Sequence, residues 1–306
     1  MNEKIVLVKK EISKYIVGQD AMVERIILSI LLDSHILIEG LPGLAKSFAV
    51  DTISRVMGIS FKRIQFTPDI LPSDILGTQI YFQKTGEFLT KKGPIFANII
   101  LADEINRAPP KVQSALLEAM QEKQITIGDT TYSLEEPFVV LATQNPVEQD
   151  GTYPLPEAQQ DRFIMKLSVS YPSFSEELEI LNRSSNKNLD VKSILNRAEI
   201  SNIKRDIESI HVEEKIKEYI VSIVSATRSL NKYILCGASP RASISMFKAS
   251  KGIAFMNNRT YVTPDDVRSI AKDVLRHRVI LNYQADIDSI DISRVIDSIL
   301  DSVRMP

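Results

Sequence analysis

The chain has 306 residues, 44% hydrophobic and 25% charged, with 37 basic against 39 acidic side chains and a formal net charge of −2. That length and apolar content suit one sizeable domain plus a smaller one, and the balanced charge gives no overall pull towards nucleic acid or an anionic membrane. No apolar run approaches the ~18 residues of a membrane span and the N-terminus lacks a signal peptide's organisation, so a cytoplasmic setting is expected.

Residues 2–16 and 20–33 carry helical periodicity, joined through Val17-Gly18-Gln19. The apolar run Ile36-Leu37-Ile38 then feeds a loop, Gly40-Leu41-Pro42-Gly43-Leu44-Ala45-Lys46-Ser47, that opens a further helical pattern at Phe48. Backbone N–H groups of such a loop, with the helix N-terminus behind it, form a concave anion site. Lys46 can reach the β- and γ-phosphates of a nucleoside triphosphate, and the Ser47 hydroxyl can ligate Mg²⁺. Gly40, Gly43, Lys46 and Ser47 fit the template G-x-x-x-x-G-K-[ST], whereas Ala45 stands where it asks for glycine. An ordinary strand-turn-helix is the alternative.

Further strand-like segments lie at 61–66, 98–102, 137–142 and 163–167, after a first at 35–39, with helical patterns between most of them. The alternation predicts a parallel α/β sheet flanked by helices. The strand Asn98–Ala102 ends in Asp103-Glu104, where Asp103 can hold Mg²⁺ and Glu104 can polarise an attacking water. A solvated strand end is the plainer reading, weakened by the phosphate loop upstream, because ligands in such sheets gather at the strands' carboxyl ends.

Two segments interrupt the alternation. Residues 67–95, rich in Pro and Gly, read as a hairpin-bearing insertion, and 124–136 as a second hairpin around Gly128-Asp129. Either could contact a partner or simply pack on the sheet. Beyond Pro172 the strand signal fades and helices are expected near 174–185, 199–208, 213–230, 240–257, 264–276 and 286–304, so the chain divides into an α/β core over 1–172 and an all-helical domain over 173–306. Thr263-Pro264-Asp265-Asp266 is a helix start with Thr263 as N-cap. Cys236, the single cysteine, excludes an internal disulfide and is expected to be buried, while His35, His211 and His277 lack metal-ligand spacing and read as structural or exposed.

Taken together the blocks resemble the MoxR-type AAA+ ATPases. Gly40–Ser47 resembles that family's Walker A, Leu101–Pro109 its Walker B, and Ala142-Thr143-Gln144-Asn145-Pro146 its sensor 1. Arg63–Asp69 resembles the start of its insertion, Leu155–Phe163 its arginine-finger segment, and Gly237–Ala242 its sensor 2. The likeness is dense over 18–172 and thinner beyond.

The resemblance implies an AAA+ P-loop core with hairpin insertions followed by a helical lid, binding ATP or ADP with Mg²⁺. It assigns Asn145 to orienting the attacking water, Arg162 to the γ-phosphate of a neighbouring subunit and Arg241 to sensing nucleotide from the lid. Gly18 and Gln19 resemble the segment that contacts adenine through backbone groups, and Pro42, Leu44 and Phe48 accompany the phosphate loop. On their own, Arg162 and Arg241 read as surface ion-pair residues, so their roles rest on the resemblance, and Arg107 is a weaker candidate for an intersubunit contact. Ala45 is a substitution often met in the family.

A trans-acting Arg162 implies a homo-oligomeric ring, expected to be a hexamer, that works on a protein client or a von Willebrand A domain partner by chaperone-like maturation or metal insertion. The alternative is a nucleic-acid motor or loader using the hairpins. Hairpin 124–136 carries Asp129, Glu135 and Glu136 with only Lys123 at its edge, which is poorly suited to phosphates, although the insertion offers Lys84, Lys91 and Lys92. A nucleotide-binding scaffold without hydrolysis is a third reading, disfavoured by the presence of both Glu104 and Asn145.

Overall fold

A computed structural model of the protein describes residues 2–41, 43–84, 86–146, 151–183, 190–229 and 231–306. Two compact units divide the chain, one formed by Glu3–Leu155 with Leu167–Ser201 and the other by Pro156–Lys166 with Asn202–Pro306. This division is interleaved, where the sequence suggests one boundary after residue 172.

The first unit opens with helices α1 (Asn2–Ile12) and α2 (Asp20–Leu31), then β1 (Ile36–Gly40), α3 (Lys46–Val56), β2 (Phe61–Gln65) and α4 (Pro72–Leu76). Hairpin strands β3 (Gly77–Phe82) and β4 (Glu87–Lys92) lead to β5 (Ile99–Asp103), α5 (Pro110–Glu122), the second hairpin β6 (Gln124–Ile127) and β7 (Thr130–Ser133), and β8 (Val139–Gln144). After α6 (Glu157–Gln160), which belongs to the second unit, come β9 (Met165–Val169) and α7 (Phe174–Arg183). All five expected sheet strands are present, and both expected hairpins form.

The sheet runs in the order β2-β5-β8-β1-β9, with β2–β5, β5–β8 and β8–β1 parallel. Its central strands are apolar without a break because both faces are covered: Ile36, Leu37, Ile38, Ile99–Ala102 and Val139–Ala142 are all inaccessible to solvent. Each such Leu or Ile contributes roughly 1.5–3 kcal/mol through burial. Strand β2 lies at the edge and is mostly accessible, burying only Ile64 while Lys62, Arg63 and Gln65 are exposed. The register sets Gln65 beside Asp103, and Glu39 beside Gln144, so the polar strand ends come together.

At the opposite end of the sheet, buried polar groups fix the strands to their neighbours. Asp33 Oδ1 accepts from the Phe138 N–H at 2.8 Å while its other oxygen pairs with Lys123. His35 Nε2 lies 3.1 Å from the Met120 carbonyl and Nδ1 accepts from the Val140 N–H at 3.0 Å, which places the ring proton on Nε2. Burial pushes the His35 pKa down to about 4, so the ring is neutral.

The hairpins differ in exposure. Ile80, Tyr81, Phe82, Phe88 and Leu89 on β3–β4 are exposed, whereas Ile125 and Ile127 on β6 are buried and Tyr132 is half-buried.

The second unit holds most of α8 (Arg197–Glu208), then α9 (Glu214–Ala226), β10 (Ile234–Cys236), α10 (Pro240–Met256), α11 (Pro264–Leu275), β11 (Ile280–Leu281), α12 (Tyr283–Ile287) and α13 (Ile292–Ser302). Its core is helical: Ala242, Met246, Ala249 and Ile253 of α10 are buried, as are Val267, Ile270, Ala271 and Val274 of α11. At the start of α11 the Asp266 carboxylate accepts from Thr263 N at 2.8 Å and Thr263 Oγ1 at 2.9 Å, and it also pairs with Arg259.

Three expectations are corrected here. The unit is not wholly helical, because β10 and β11 form an antiparallel pair too short to show periodicity in sequence. Cys236 is exposed rather than buried, since it sits on that three-residue surface strand. The expected helix over 286–304 is two helices, because Ser289 adopts φ 51° and Asp291 caps α13, accepting from Arg294 N at 2.8 Å. Of the expected helix over 174–185, the last two residues lie outside the described residues.

Candidate nucleotide-binding and catalytic site

Gly40, Gly43, Leu44, Ala45, Lys46, Ser47, Phe48, Arg63, Asp103, Glu104, Thr143 and Asn145 line one cleft of about 410 Å³ in the first unit. It stands at the carboxyl ends of β1, β5 and β8, where an open parallel sheet collects its ligands. Pro42 lies outside the described residues.

The loop after β1 needs two left-handed residues, Gly43 at φ 83° and Ala45 at φ 52°. Ala45 is the N-cap of α3 and offers no side-chain acceptor, so the first-turn N–H groups of α3 are available to an anion. The Ala45 conformation costs about 1 kcal/mol relative to glycine, and it is the physical content of the departure from the Walker template. Lys46 Nζ donates to the Gly40 carbonyl at 2.7 Å across the loop. Burial lowers the Lys46 pKa, an effect that Asp103 and Glu104 partly oppose.

The acidic pair is held by a web of donors. Thr143 Oγ1 donates to Asp103 Oδ1 at 2.6 Å, and the Glu104 N–H donates to Thr143 Oγ1 at 2.8 Å. Arg63 brings Nε and Nη2 to the other Asp103 oxygen at 3.0 and 2.6 Å. Gln65 Nε2 donates to Glu104 Oε2 at 3.0 Å, with Arg107 Nε 3.3 Å from that oxygen. Glu104 itself has φ 56° and ψ 51°, a left-handed turn that lifts its carboxylate off the end of β5. Asn145 is buried at the end of β8.

Ser47 and Asp103 supply a hydroxyl and a carboxylate, the hard oxygen donors that Mg²⁺ takes alongside phosphates and water. No group of three His, Cys, Asp or Glu suited to a metal occurs among the described residues, and a cation held mainly by nucleotide phosphates does not need one.

Other expected site residues stand elsewhere. Gly18 at φ 64° and Gln19 at φ 57° form the turn into α2, and Gln19 Nε2 donates to the Ser170 carbonyl at 3.1 Å. A side chain at Gly18 would meet the Glu176 carboxylate at 2.3 Å, so only glycine fits. Gly18 lines a separate cavity of about 140 Å³ with Lys9, Ser13, Asp20 and Glu24. Arg162 and Arg241 belong to the second unit, Arg162 just after α6 and Arg241 in the first turn of α10. Sequence alone gives Arg63, Gln65 and Thr143 no place in the site; the exposed polar residues Arg63 and Gln65 on β2 are the available signal.

The phosphate loop, the paired acids and the parallel order of the sheet define a P-loop ATPase site. A family model for the ATPase family associated with various cellular activities (AAA) matches residues 35–165, and one for the AAA lid domain matches residues 227–299. The chain is 46% identical to Chaperone MoxR1 of Mycobacterium tuberculosis over 304 residues, covering 97% of this chain and 81% of that one. It is 42% identical to the uncharacterized protein YeaC of Bacillus subtilis over 299 residues, covering 97% and 93%. A solved crystal structure from Cytophaga hutchinsonii superposes with a TM-score of 0.94 at 50% identity, covering all of this chain and 96% of that one. This chain therefore belongs to the MoxR family of AAA+ ATPases.

Among the described residues, no helix is long and apolar enough to cross a membrane.

Proposed function

We propose that the protein is a Mg²⁺-dependent ATP hydrolase that works as a ring-shaped homo-oligomer, a hexamer, and uses hydrolysis for chaperone-like remodelling, maturation or metal insertion in partner proteins, von Willebrand A domain proteins among them. The observation that carries this reading is the single cleft in which Lys46, Ser47, Asp103, Glu104 and Asn145 meet. The name of the Mycobacterium tuberculosis relative, a chaperone, supports the partner-directed half of it.

In this reading the α3 N-terminus and the loop amides hold the phosphates, and Lys46 leaves the Gly40 carbonyl to pair with the β- and γ-oxygens. Glu104 accepts the proton of the attacking water, which Asn145 orients. Ser47 and Asp103 would hold Mg²⁺, which would supply positive charge to offset that of the transferring phosphate. Arg162 reaches the γ-phosphate of a neighbouring subunit, where a guanidinium stabilises the charge of the transferring group. Arg241 carries loss of the γ-phosphate to the helical lid, which shifts against the α/β core. Gly18 and Gln19 flank the base.

Nucleic acid is not the expected substrate. Lys92 at the foot of the insertion lies over the rings of Phe96 and Tyr132, at 4.8 and 4.9 Å, so its ammonium is already engaged by the hairpin side chains. DNA is expected neither to bind with a steep salt dependence nor to stimulate the ATPase.

The test is ATPase rate against protein concentration for wild type, Glu104→Gln and Arg162→Ala, with oligomer mass followed in parallel. A rate per subunit that rises with assembly and collapses in both variants supports the shared-site ring. A rate independent of concentration and unchanged in Arg162→Ala overturns it.

A further inference from the structure

The segment that carries Arg162 is bonded into the helical unit by one buried guanidinium. Arg278, only 7% exposed, lies just past α11. Its Nη2 donates to the carbonyl of Asp161 at 3.1 Å and to that of Phe163 at 2.7 Å, the residues on either side of Arg162. Nη1 adds the Ile164 carbonyl at 3.0 Å, and the Val274 carbonyl at 2.7 Å ties the same group to its own helix. His277 Nε2, 3.0 Å from the Phe163 carbonyl, reinforces the bracket.

The bracket continues through a carboxylate. Asp161 Oδ1 accepts from Arg278 Nε at 2.7 Å, and Oδ2 accepts from Ser239 Oγ at 2.9 Å. Ser239 is the N-cap of α10, and its hydroxyl in turn accepts from the Arg241 N–H at 3.2 Å. A chain of bonds therefore runs Arg278–Asp161–Ser239–Arg241 and fixes the backbone on either side of Arg162, entirely within the second unit. Planar donors in a fixed fork make such a clamp specific to arginine, because an ammonium cannot bond two carbonyls and a carboxylate in one plane.

We propose that Arg278 and Asp161 are positioning residues that lock Arg162 and Arg241 into one block of the helical unit, so that the two nucleotide-facing arginines move together. The proposal rests on the reading that Arg162 acts on a neighbour's nucleotide. Removal of the bracket then leaves the finger's own charge in place but misdirects it, in a reaction where such an arginine contributes roughly 10³-fold or more.

The test uses mixed assemblies of full-length chains. A Glu104→Gln subunit cannot hydrolyse its own nucleotide yet presents its Arg162 to the next subunit, so doping it into wild type lowers activity in proportion to the fraction added. A Glu104→Gln/Arg162→Ala subunit lowers activity further, because its neighbour loses the finger. Glu104→Gln/Arg278→Lys is expected to dope like the Arg162→Ala combination, at equal incorporation measured by tag capture and with unchanged nucleotide binding. If it dopes like Glu104→Gln alone, the positioning role is overturned. If Arg278→Lys fails to enter the assembly, Asp161→Asn, close in shape, takes its place with the same two outcomes. If the Arg162→Ala combination itself dopes like Glu104→Gln alone, the trans finger fails and the positioning role falls with it.

Discussion

Thr143 is bonded to Asp103 at 2.6 Å, and the same hydroxyl takes the Glu104 N–H at 2.8 Å, so one side chain on β8 orders both acids at the end of β5. Thr143→Val keeps the shape and removes the hydroxyl. The Glu104 amide then loses its acceptor, at a cost of about 1–3 kcal/mol, and Asp103 loses its orienting donor. A fall in kcat of about tenfold is expected from roughly 1.4 kcal/mol of misplacement, with nucleotide affinity little changed. Steady-state ATPase assays and nucleotide titration check this; an unchanged kcat removes Thr143 from the site.

Arg63 is bonded to the Asp103 carboxylate that is proposed to hold Mg²⁺, so the two would compete for it. The side chain of Arg63 is half exposed and its pairing is worth under about 1 kcal/mol, so removing it changes metal binding only modestly. For Arg63→Met, the Mg²⁺ concentration giving half-maximal ATPase is expected to fall about threefold, in keeping with that energy. Chelation with EDTA is expected to stop hydrolysis in both proteins. A rise in the Mg²⁺ requirement of the variant contradicts the competition.

His35 sets an acid limit on stability. Its folded pKa of about 4 lies below the unfolded value of 6.5, so the unfolded chain binds a proton first as pH falls. The stability that depends on neutral His35 is complete above pH 6.5 and is lost between 6.5 and about 4, amounting to roughly 3 kcal/mol. His277, buried beside Arg278 and also held neutral, adds in the same direction. Denaturant unfolding at stepped pH reads the slope, which is expected to be shallower in His35→Asn than in wild type.

Ala45→Gly relaxes the left-handed turn of the phosphate loop. At φ 52° the β-carbon is strained, and its removal is expected to stabilise the protein by about 0.5–1 kcal/mol without loss of ATP binding. Thermal unfolding with and without nucleotide measures both quantities. Weakened binding in the glycine variant means that the alanine tunes loop shape rather than merely occupying it.

These positions differ in how far the chain alone reveals them. Lys46 and Ser47 are legible because they close a Gly/Pro loop that leaves an apolar strand, and Asp103 and Glu104 because they end one, so local pattern and chemistry coincide. Arg63 and Gln65 become relevant only when β2 pairs with β5, a register no local pattern encodes. Asp161 and Arg278 are 117 residues apart, and nothing in either neighbourhood announces the other. The exposure of Cys236 was obscured for a related reason, since a three-residue strand leaves no periodic trace. Apolar side chains on β3 and β4 read equally as core or surface until the hairpin is seen to leave Tyr81 and Phe88 in solvent, 5.2 Å apart between ring centres.

Glu104 holds a backbone conformation that glycine would adopt at less cost. In the proposed mechanism Glu104 serves through its carboxylate, so position 104 would set activity against stability. In a lineage that retained nucleotide binding but dispensed with hydrolysis, replacement of this acid by glycine would be favoured by folding alone. If hydrolysis runs through Glu104, the residue after β5 would then register turnover of ATP in the Ramachandran map as much as in the chemistry.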